Sequence, residues 1–281
     1  MLPAPAKLNL FLHVVGRRDD GYHLLQTVFQ LLDWGDDVSL RLRDDGMVRI
    51  SRSLAGVADD ANLALRAANA LKSEAGGSWG VDIAIDKRIP IGGGLGGASS
   101  NAATVLVGIN ALAGLGFGPD RLAAIGLELG ADVPLFVHGG SAWSEGVGEQ
   151  LTPIDLPERW FLVLHPGVAV STSAVFSDPG LTRDSAPVTI SCFSRGFADR
   201  NDLEPTAIGL APEIGAAMAW LAGFAPPRMS GSGSCVFAAF ETRAAAEAVA
   251  AKVPDNWRAW VARGVAESPL HQQLRKNAKL I

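Results

Sequence analysis

The stretch IGGGLGGASSNAA, residues 91–103, restricts the fold of this chain more than any other segment. Five of the six residues 92–97 are glycines, and glycine loses more backbone freedom on folding than any other residue. Apolar residues recur at helical spacing after Ala98, so we expect a helix to begin at Ser99 or Ser100. A glycine-rich loop that opens a helix presents backbone amides and a helix N-terminus to an anion, which predicts a phosphate-binding loop.

Two known phosphate-binding patterns fit this loop incompletely. Gly92, Gly94 and Gly97 have the spacing of a dinucleotide-binding fingerprint. That motif also requires an acidic residue about 20 positions later, at the end of the next strand. The chain instead reads GLGFGP at 114–119. Gly92 and Gly97 also have the spacing of a P-loop, but Ala98 stands where that motif has its lysine. The positive charge must therefore come from another segment.

Lys7 and Lys87 are the candidates for that charge. Residues 6–15 alternate like a strand with one buried face, which places Lys7 and Asn9 on the same side. Lys87 stands just before the loop. Taken alone, each lysine is better explained as a solvated surface residue, and Asp132 within GADVP as a turn or helix-capping residue.

The order of helical and strand patterns predicts an α+β protein with two domains. Strands are expected at 6–15, 81–85, 141–143, 160–164, 235–240 and 257–262, and a hairpin from 38–42 and 47–50. Helices are expected at 61–74, from 99 or 100 onward, and at 120–129, 212–221 and 243–252. Hairpins without strict βαβ repeats favour α+β over a doubly wound sheet. A boundary between Pro153 and Pro157 gives domains 1–155 and 156–281.

Composition limits the class of protein. With 281 residues, 48% of them hydrophobic, the chain can bury a substantial core. A net charge of −5 with scattered Lys and Arg argues against a nucleic-acid surface. Cys192 and Cys235 are too few for a disulfide framework and are expected to be reduced. Because the N-terminus lacks a signal-peptide pattern and no apolar stretch approaches a membrane span, we expect a cytoplasmic protein without a membrane or nucleic-acid partner.

Several segments, in this order along the chain, are similar to one family. They are PAKLNL at 5–10, GRRDDGYH at 16–23, PIGGGLGGASSNAA at 90–103, GADVP at 130–134, HPGV at 165–168, NDLEP at 201–205 and SGSGSC at 230–235. Together they resemble the GHMP kinase superfamily, and more narrowly its members that act on 4-diphosphocytidyl-2-C-methyl-D-erythritol. GRRDDGYH makes this resemblance more specific than the glycine loop does. It implies a ribosomal-protein-S5-like N-terminal domain, a ferredoxin-like C-terminal domain and a cleft where ATP meets the substrate.

The resemblance also implies an activity. The γ-phosphoryl group of ATP would pass to the 2-hydroxyl of a cytidine diphosphate alcohol, in the methylerythritol phosphate route of isoprenoid biosynthesis. Asp132 matches the catalytic aspartate of the family, which would accept the hydroxyl proton or orient the hydroxyl. Lys7 matches the catalytic lysine, which would hold that carboxylate ionised and neutralise charge on the transferring group. Mg²⁺ is expected with ATP, with its protein ligands unassigned.

Binding residues follow from the same resemblance. For ATP they are Asn62 near the adenine, Lys87, and the loop residues Pro90, Ile91, Gly92, Gly93, Gly94, Leu95, Gly96, Gly97, Ala98, Ser99 and Ser100. For the cytidyl substrate they are Asn9 and Thr172 as polar contacts, Tyr22 and Phe176 on the two faces of the base, and His23 at its edge. Phe176 as an ordinary core residue and Asn62 as a helix-start residue stay open. Ala98 stands where a further glycine is commoner, which puts ATP affinity in question more than activity.

Other functions also stay open. A GHMP kinase for homoserine or a mevalonate-type alcohol would share the glycine loop but would have no use for GRRDDGYH. A non-catalytic nucleotide-binding module of the same fold predicts that Lys7 and Asp132 lie apart. A dinucleotide-dependent oxidoreductase is the third alternative.

Overall fold

The structure is a computed structural model that describes residues 1–51, 58–196 and 198–278. Its strands are β1 Leu2–Arg17, β2 His23–Arg43, β3 Val48–Ile50, β4 Gly80–Asp86, β5 Ala142–Glu145, β6 Gln150–Pro153, β7 Trp160–His165, β8 Arg228–Met229, β9 Val236–Phe240 and β10 Arg258–Val265. Its α-helices are α1 Leu63–Ala75, α2 Gly97–Leu112, α3 Pro119–Leu127, α4 Val133–His138, α5 Thr172–Ser177, α6 Ile190–Ser194, α7 Glu204–Leu210, α8 Pro212–Ala222, α9 Arg243–Ala250 and α10 Pro269–Ala278. This mixture confirms the predicted α+β class.

The long strand β2 organises the sheet. It pairs antiparallel with β1, β4, β5 and β10, and β10 continues through β7 and β9 to β8. The pairing of β1 with β2 is interrupted between Pro5 and Lys7 and again between Asn9 and Leu12. Such bulges re-aim side chains and are common beside active sites. The two bulges lie on either side of the segment that carries Lys7 and Asn9.

Two main hydrophobic cores hold the elements together. The first lies between β1, β2, β4 and helices α1–α4, with Leu71, Ile83 and Leu106 among its fully buried side chains. The second lies around β7, β9 and helices α7–α9, with Leu162 and Ile214 at its centre. The expected domain boundary at 155 falls in the connection between β6 and β7. As a division of the chain into domains it stays a prediction.

The predicted hairpin of residues 38–42 and 47–50 is wrong. β3 does not pair with β2; it runs parallel to β4, which lies between them and pairs with both. The reason is burial, because Val81 and Ile83 of β4 are completely inaccessible and fill the central position better than the half-exposed β3. The strand at 6–15 is confirmed, but both of its faces are buried rather than one, with Phe11 1% and Leu12 4% exposed.

Helix boundaries differ from the sequence prediction in informative ways. Helix α1 is capped by Asn62, whereas Asp59 and Asp60 form a short 3₁₀ turn before it. The GADVP segment does not end as a loop, since α4 begins at Val133, directly after Asp132. Helices α5, α6, α7 and α10 were not predicted. Cys192 and Cys235 are both free, as expected. No described helix is long and apolar enough to cross a membrane.

Candidate active site

The glycine loop forms a concave row of backbone amides. Gly92, Gly94 and Gly96 have φ values of +69°, +73° and +72°, a conformation that L side chains rarely adopt. Successive amides in such an alternating chain form a nest that binds anions. Gly96 is the N-cap of α2 and supplies no capping side chain, so the first amides of the helix remain for a ligand. Helix α2 begins at Gly97, slightly earlier than expected, which brings its N-terminus into the loop itself.

Part of the glycine content serves packing instead. A Cβ at Gly94 would lie 2.0 Å from the carbonyl oxygen of Ser230, and one at Gly93 would lie 2.8 Å from Sγ of Cys235. The Ser230 hydroxyl donates to the Gly94 carbonyl at 3.0 Å, and the Cys235 amide donates to the Gly93 carbonyl at 3.2 Å. The segment after β8 is therefore packed directly against the loop.

Strand β1 brings Lys7 beside the loop. The Lys7 amide donates to the Leu95 carbonyl at 3.1 Å, which joins the strand to the loop backbone. Its ammonium group is buried and donates to Oδ1 of Asn9 at 2.6 Å. Asp132 Oδ2 lies 3.4 Å from Lys7 Nζ. This distance contradicts the expectation from the non-catalytic alternative that Lys7 and Asp132 lie apart.

The carboxylate of Asp132 is free of a structural role in its own helix. Asp132 occupies the N-cap position of α4, but its side chain makes no capping hydrogen bond. The side chain is 29% exposed on the cleft wall. The explanation of Asp132 as a turn-stabilising residue therefore lacks the hydrogen bond that it requires.

Lys87 differs from Lys7 because its charge is already matched. Its Nζ lies 2.7 Å from Oδ2 of Asp36 and donates to the Ile89 carbonyl at 2.6 Å. Asp36 is completely buried and also accepts from the backbone amides of Arg88 and Ile89, both at 2.7 Å. Burial lowers the pKa of Lys87, and the Asp36 carboxylate opposes this shift. The pair fixes the segment that enters the loop, and a direct role of Lys87 on phosphate stays a prediction.

A cleft of about 400 Å³ joins these groups. The predicted residues on its wall are Lys7, Asn9, Asn62, Lys87, residues 90–99, Asp132, Thr172 and Phe176. Ser100 is buried beneath the wall and does not line it. The polar wall residues Thr27, Asn101 and Ser232 were not predicted as site residues. Asn101 and Ser232 stand in two of the segments that carry the resemblance, the glycine loop and SGSGSC, whereas nothing in the local sequence distinguished Thr27.

Asn62 satisfies both explanations that the sequence left open. Its Oδ1 accepts from the Ala64 amide at 3.0 Å and so caps α1. Its Nδ2 is buried at the cleft and has no hydrogen-bond partner in the described part of the chain. Because buried donors are normally hydrogen-bonded, Nδ2 is suited to bind an acceptor atom of a ligand in the cleft.

The residues expected at the pyrimidine are only partly assembled. The rings of His23 and Phe176 lie 4.9 Å apart with an interplanar angle of 34°. Thr172 Oγ1 lies 2.8 Å from Oγ of Ser232, which ties α5 to the segment after β8. Tyr22 is 64% exposed and does not line the cleft. The paired faces of Tyr22 and Phe176 around a base stay a prediction.

Comparison with known proteins supplies the family. Residues 62–140 match the GHMP kinases N terminal domain and residues 189–259 match the GHMP kinases C terminal domain. The chain is 55% identical over 273 residues to 4-diphosphocytidyl-2-C-methyl-D-erythritol kinase of Alkalilimnicola ehrlichii, covering 97% of this chain and 94% of that protein. The Xanthomonas axonopodis pv. citri enzyme of the same name is 56% identical over 269 residues, with 95% and 91% covered.

Solved structures agree with this result. A crystal structure of 4-(cytidine 5'-diphospho)-2C-methyl-D-erythritol kinase superposes with a TM-score of 0.78 at 37% identity, covering 94% of this chain and 98% of that one. A mevalonate kinase superposes with a TM-score of 0.66 at 13% identity, covering 95% and 99%, which shows a shared fold alone. The chain therefore belongs to the GHMP kinase superfamily and, within it, to the family of 4-diphosphocytidyl-2-C-methyl-D-erythritol kinases.

Proposed function

We propose that this chain transfers the γ-phosphoryl group of ATP to the 2-hydroxyl of 4-diphosphocytidyl-2-C-methyl-D-erythritol, a step of the methylerythritol phosphate route to isoprenoids. The observation that carries the proposal is the 3.4 Å pair of Lys7 and Asp132 in one cleft with a loop of left-handed glycines. The family membership supplies the substrate. The arrangement supports phosphoryl transfer because such a reaction needs positioning and charge neutralisation more than covalent chemistry.

Each of the two charged groups has a distinct task in this proposal. Asp132 would orient the acceptor hydroxyl and receive its proton as the new O–P bond forms. Lys7, held by Asn9, would keep that carboxylate ionised and offset negative charge on the transferring group. The nest of the glycine loop and the N-terminus of α2 would hold the phosphates of ATP.

Mg²⁺ belongs to the proposal as the partner of ATP. The described residues contain no cluster of three or more His, Cys, Asp or Glu side chains that could hold a metal by itself. This composition suits Mg²⁺, which is commonly bound through one or two carboxylates and the substrate phosphates. Asp132 and Ser99 both line the cleft, so these are the residues that would hold it. When bound, the ion neutralises the polyphosphate charge.

The test compares acceptors and one variant. In an ATPase-coupled assay, the cytidine diphosphate alcohol should be phosphorylated, whereas homoserine and mevalonate should not. Asp132→Asn should keep ATP binding and lower kcat by at least about a hundredfold, the usual contribution of a positioned proton acceptor. Turnover of homoserine or mevalonate alone would overturn the substrate assignment, and unchanged kcat in the variant would remove Asp132 from the mechanism.

A further inference from the structure

Arg183 makes an unusual set of hydrogen bonds beside the cleft. Its Nη2 donates to the carbonyls of Phe176 at 3.0 Å and Asp178 at 2.7 Å, and its Nη1 donates to the Leu181 carbonyl at 3.0 Å. Its Nε donates to Nε2 of His23 at 3.1 Å. One part-buried guanidinium group thus holds the backbone of the segment that carries Phe176 and also touches the imidazole stacked on that ring.

The contact with His23 determines where the imidazole proton lies. A guanidinium group can only donate hydrogen bonds, so Nε2 of His23 must accept and carries no hydrogen. The neutral ring then bears its hydrogen on Nδ1. Burial lowers the pKa of His23, and the charges of Arg183 and Arg17 lower it further, so the neutral ring is the form present at neutral pH.

The other nitrogen of the ring is available to a ligand. Nδ1 of His23 makes no hydrogen bond to the described part of the chain, and the atom is not fully buried, so solvent reaches it. The ring stands against Phe176, which lines the cleft. An imidazole fixed in this way offers a hydrogen-bond donor to whatever base lies beside Phe176.

We propose that Arg183 is a positioning residue that fixes His23 in its Nδ1–H tautomer and thereby makes the site prefer cytosine over uracil. Cytosine presents an acceptor at N3, whereas uracil carries a hydrogen there, so a fixed donor pairs with the first base and opposes the second. A site built to make one hydrogen bond rejects a ligand that cannot complete it. This inference rests on the proposed function, because a cytidyl substrate gives the preference its purpose.

The tautomer can be measured without any ligand. Long-range ¹⁵N–¹H correlation spectra distinguish which ring nitrogen of a histidine is protonated. In the unaltered protein the His23 signals should show hydrogen on Nδ1 alone. In Arg183→Met they should show both tautomers, and in Arg243→Met, a control on α9 away from the cleft, they should not change. A hydrogen on Nε2 in the unaltered protein would overturn the inference even if the kinase activity is as proposed.

The base preference is measured by kinetics. The ratio of kcat/KM for the cytidyl alcohol to that for its uridyl analogue should fall by about tenfold or more in Arg183→Met, the effect of losing one opposed donor. His23→Phe keeps a ring against Phe176 and should lower the ratio equally, with no further change in the double variant. If Arg183 only supports the backbone of Phe176, both substrates weaken together and the ratio stays constant, which refutes the role. Absence of turnover with either substrate in the unaltered protein would instead count against the proposed function.

Discussion

Replacement of Gly94 by alanine tests how closely the glycine loop depends on the segment after β8. Gly94 has φ +73°, and a Cβ there would lie 2.0 Å from the carbonyl oxygen of Ser230. Gly114 offers a matched control, because its φ of +61° is similar and a Cβ there would meet no atom of the described residues within 4 Å. Both substitutions impose the left-handed backbone on alanine, but only Gly94→Ala also forces two segments apart.

The structure gives the size of the difference. A left-handed conformation costs an L residue about 1–2 kcal/mol, which applies to both variants. At Gly94 the segments must also separate, which breaks the hydrogen bonds from the Ser230 hydroxyl and the Ser234 and Cys235 amides to the loop carbonyls. At about 1 kcal/mol each, these three bonds add about 3 kcal/mol. Gly94→Ala should therefore lower the free energy of unfolding by about 4–5 kcal/mol and Gly114→Ala by about 1–2 kcal/mol.

Urea unfolding at equilibrium, followed by fluorescence and extrapolated linearly to water, measures both values. The m-value should stay constant, so that the change in midpoint reports stability. Equal losses in the two variants would refute the reasoning, because the contact with Ser230 would then contribute nothing beyond the backbone conformation.

Further expectations concern a cap, the pyrimidine side and pH. Asn62→Ala should cost about 1 kcal/mol of stability through the lost cap and also raise KM for ATP, whereas Thr242→Ala, which removes the cap of α9, should cost the same without changing KM. Tyr22→Ala should raise KM for the cytidyl substrate and leave ATP affinity unchanged; equal weakening of both ligands would place Tyr22 outside a substrate-only pocket. Burial lowers the pKa of four histidines and raises that of Glu204, which acts in the opposite direction. As pH falls below 6.5, these histidines bind protons more readily in the unfolded chain than in the folded one, which lowers stability. The urea midpoint at pH 5.5 should therefore be lower than at pH 7.5, and a higher midpoint at pH 5.5 would contradict this balance. The four histidines are His13, His23, His165 and His271.

Local patterns in the sequence were sufficient to locate most strands and the longer helices. Period-two alternation predicted β1 and β4, and helical periodicity predicted α2, because these patterns follow from burial of one face or stripe. The partner of β3 was not predictable in this way. Its residues also fit a hairpin, and the choice of β4 depends on which strand fills the centre of the sheet. Short helices such as α5 are held by tertiary contacts and leave little periodic signal.

The site could be predicted only where a motif marks it. The glycine loop indicated an anion from its own residues, whereas the roles of Lys7 and Asp132 came from resemblance, since 125 positions separate them in the chain. The bond from Arg183 to His23 spans 160 positions and lies in no motif. Ser232 stands in the SGSGSC segment, but its place on the cleft wall depends on the packing of that segment against α5. Such contacts are set by the sheet order, which local sequence does not specify.

The absence of a lysine within the loop has a mechanical consequence. When a phosphate-binding loop carries its own lysine, the charge keeps its position relative to the loop. Here the charged side chain belongs to β1, and the hydrogen bond from the Lys7 backbone amide to the Leu95 carbonyl holds that strand against the loop. The backbone amide of Asn9 donates to the Ser230 hydroxyl at 3.2 Å, and that hydroxyl donates to the Gly94 carbonyl at 3.0 Å. Phosphate binding needs the shape of the loop alone, whereas transfer also needs its position relative to Lys7. A displacement at Gly94 should therefore lower kcat by a larger factor than it lowers affinity for ATP.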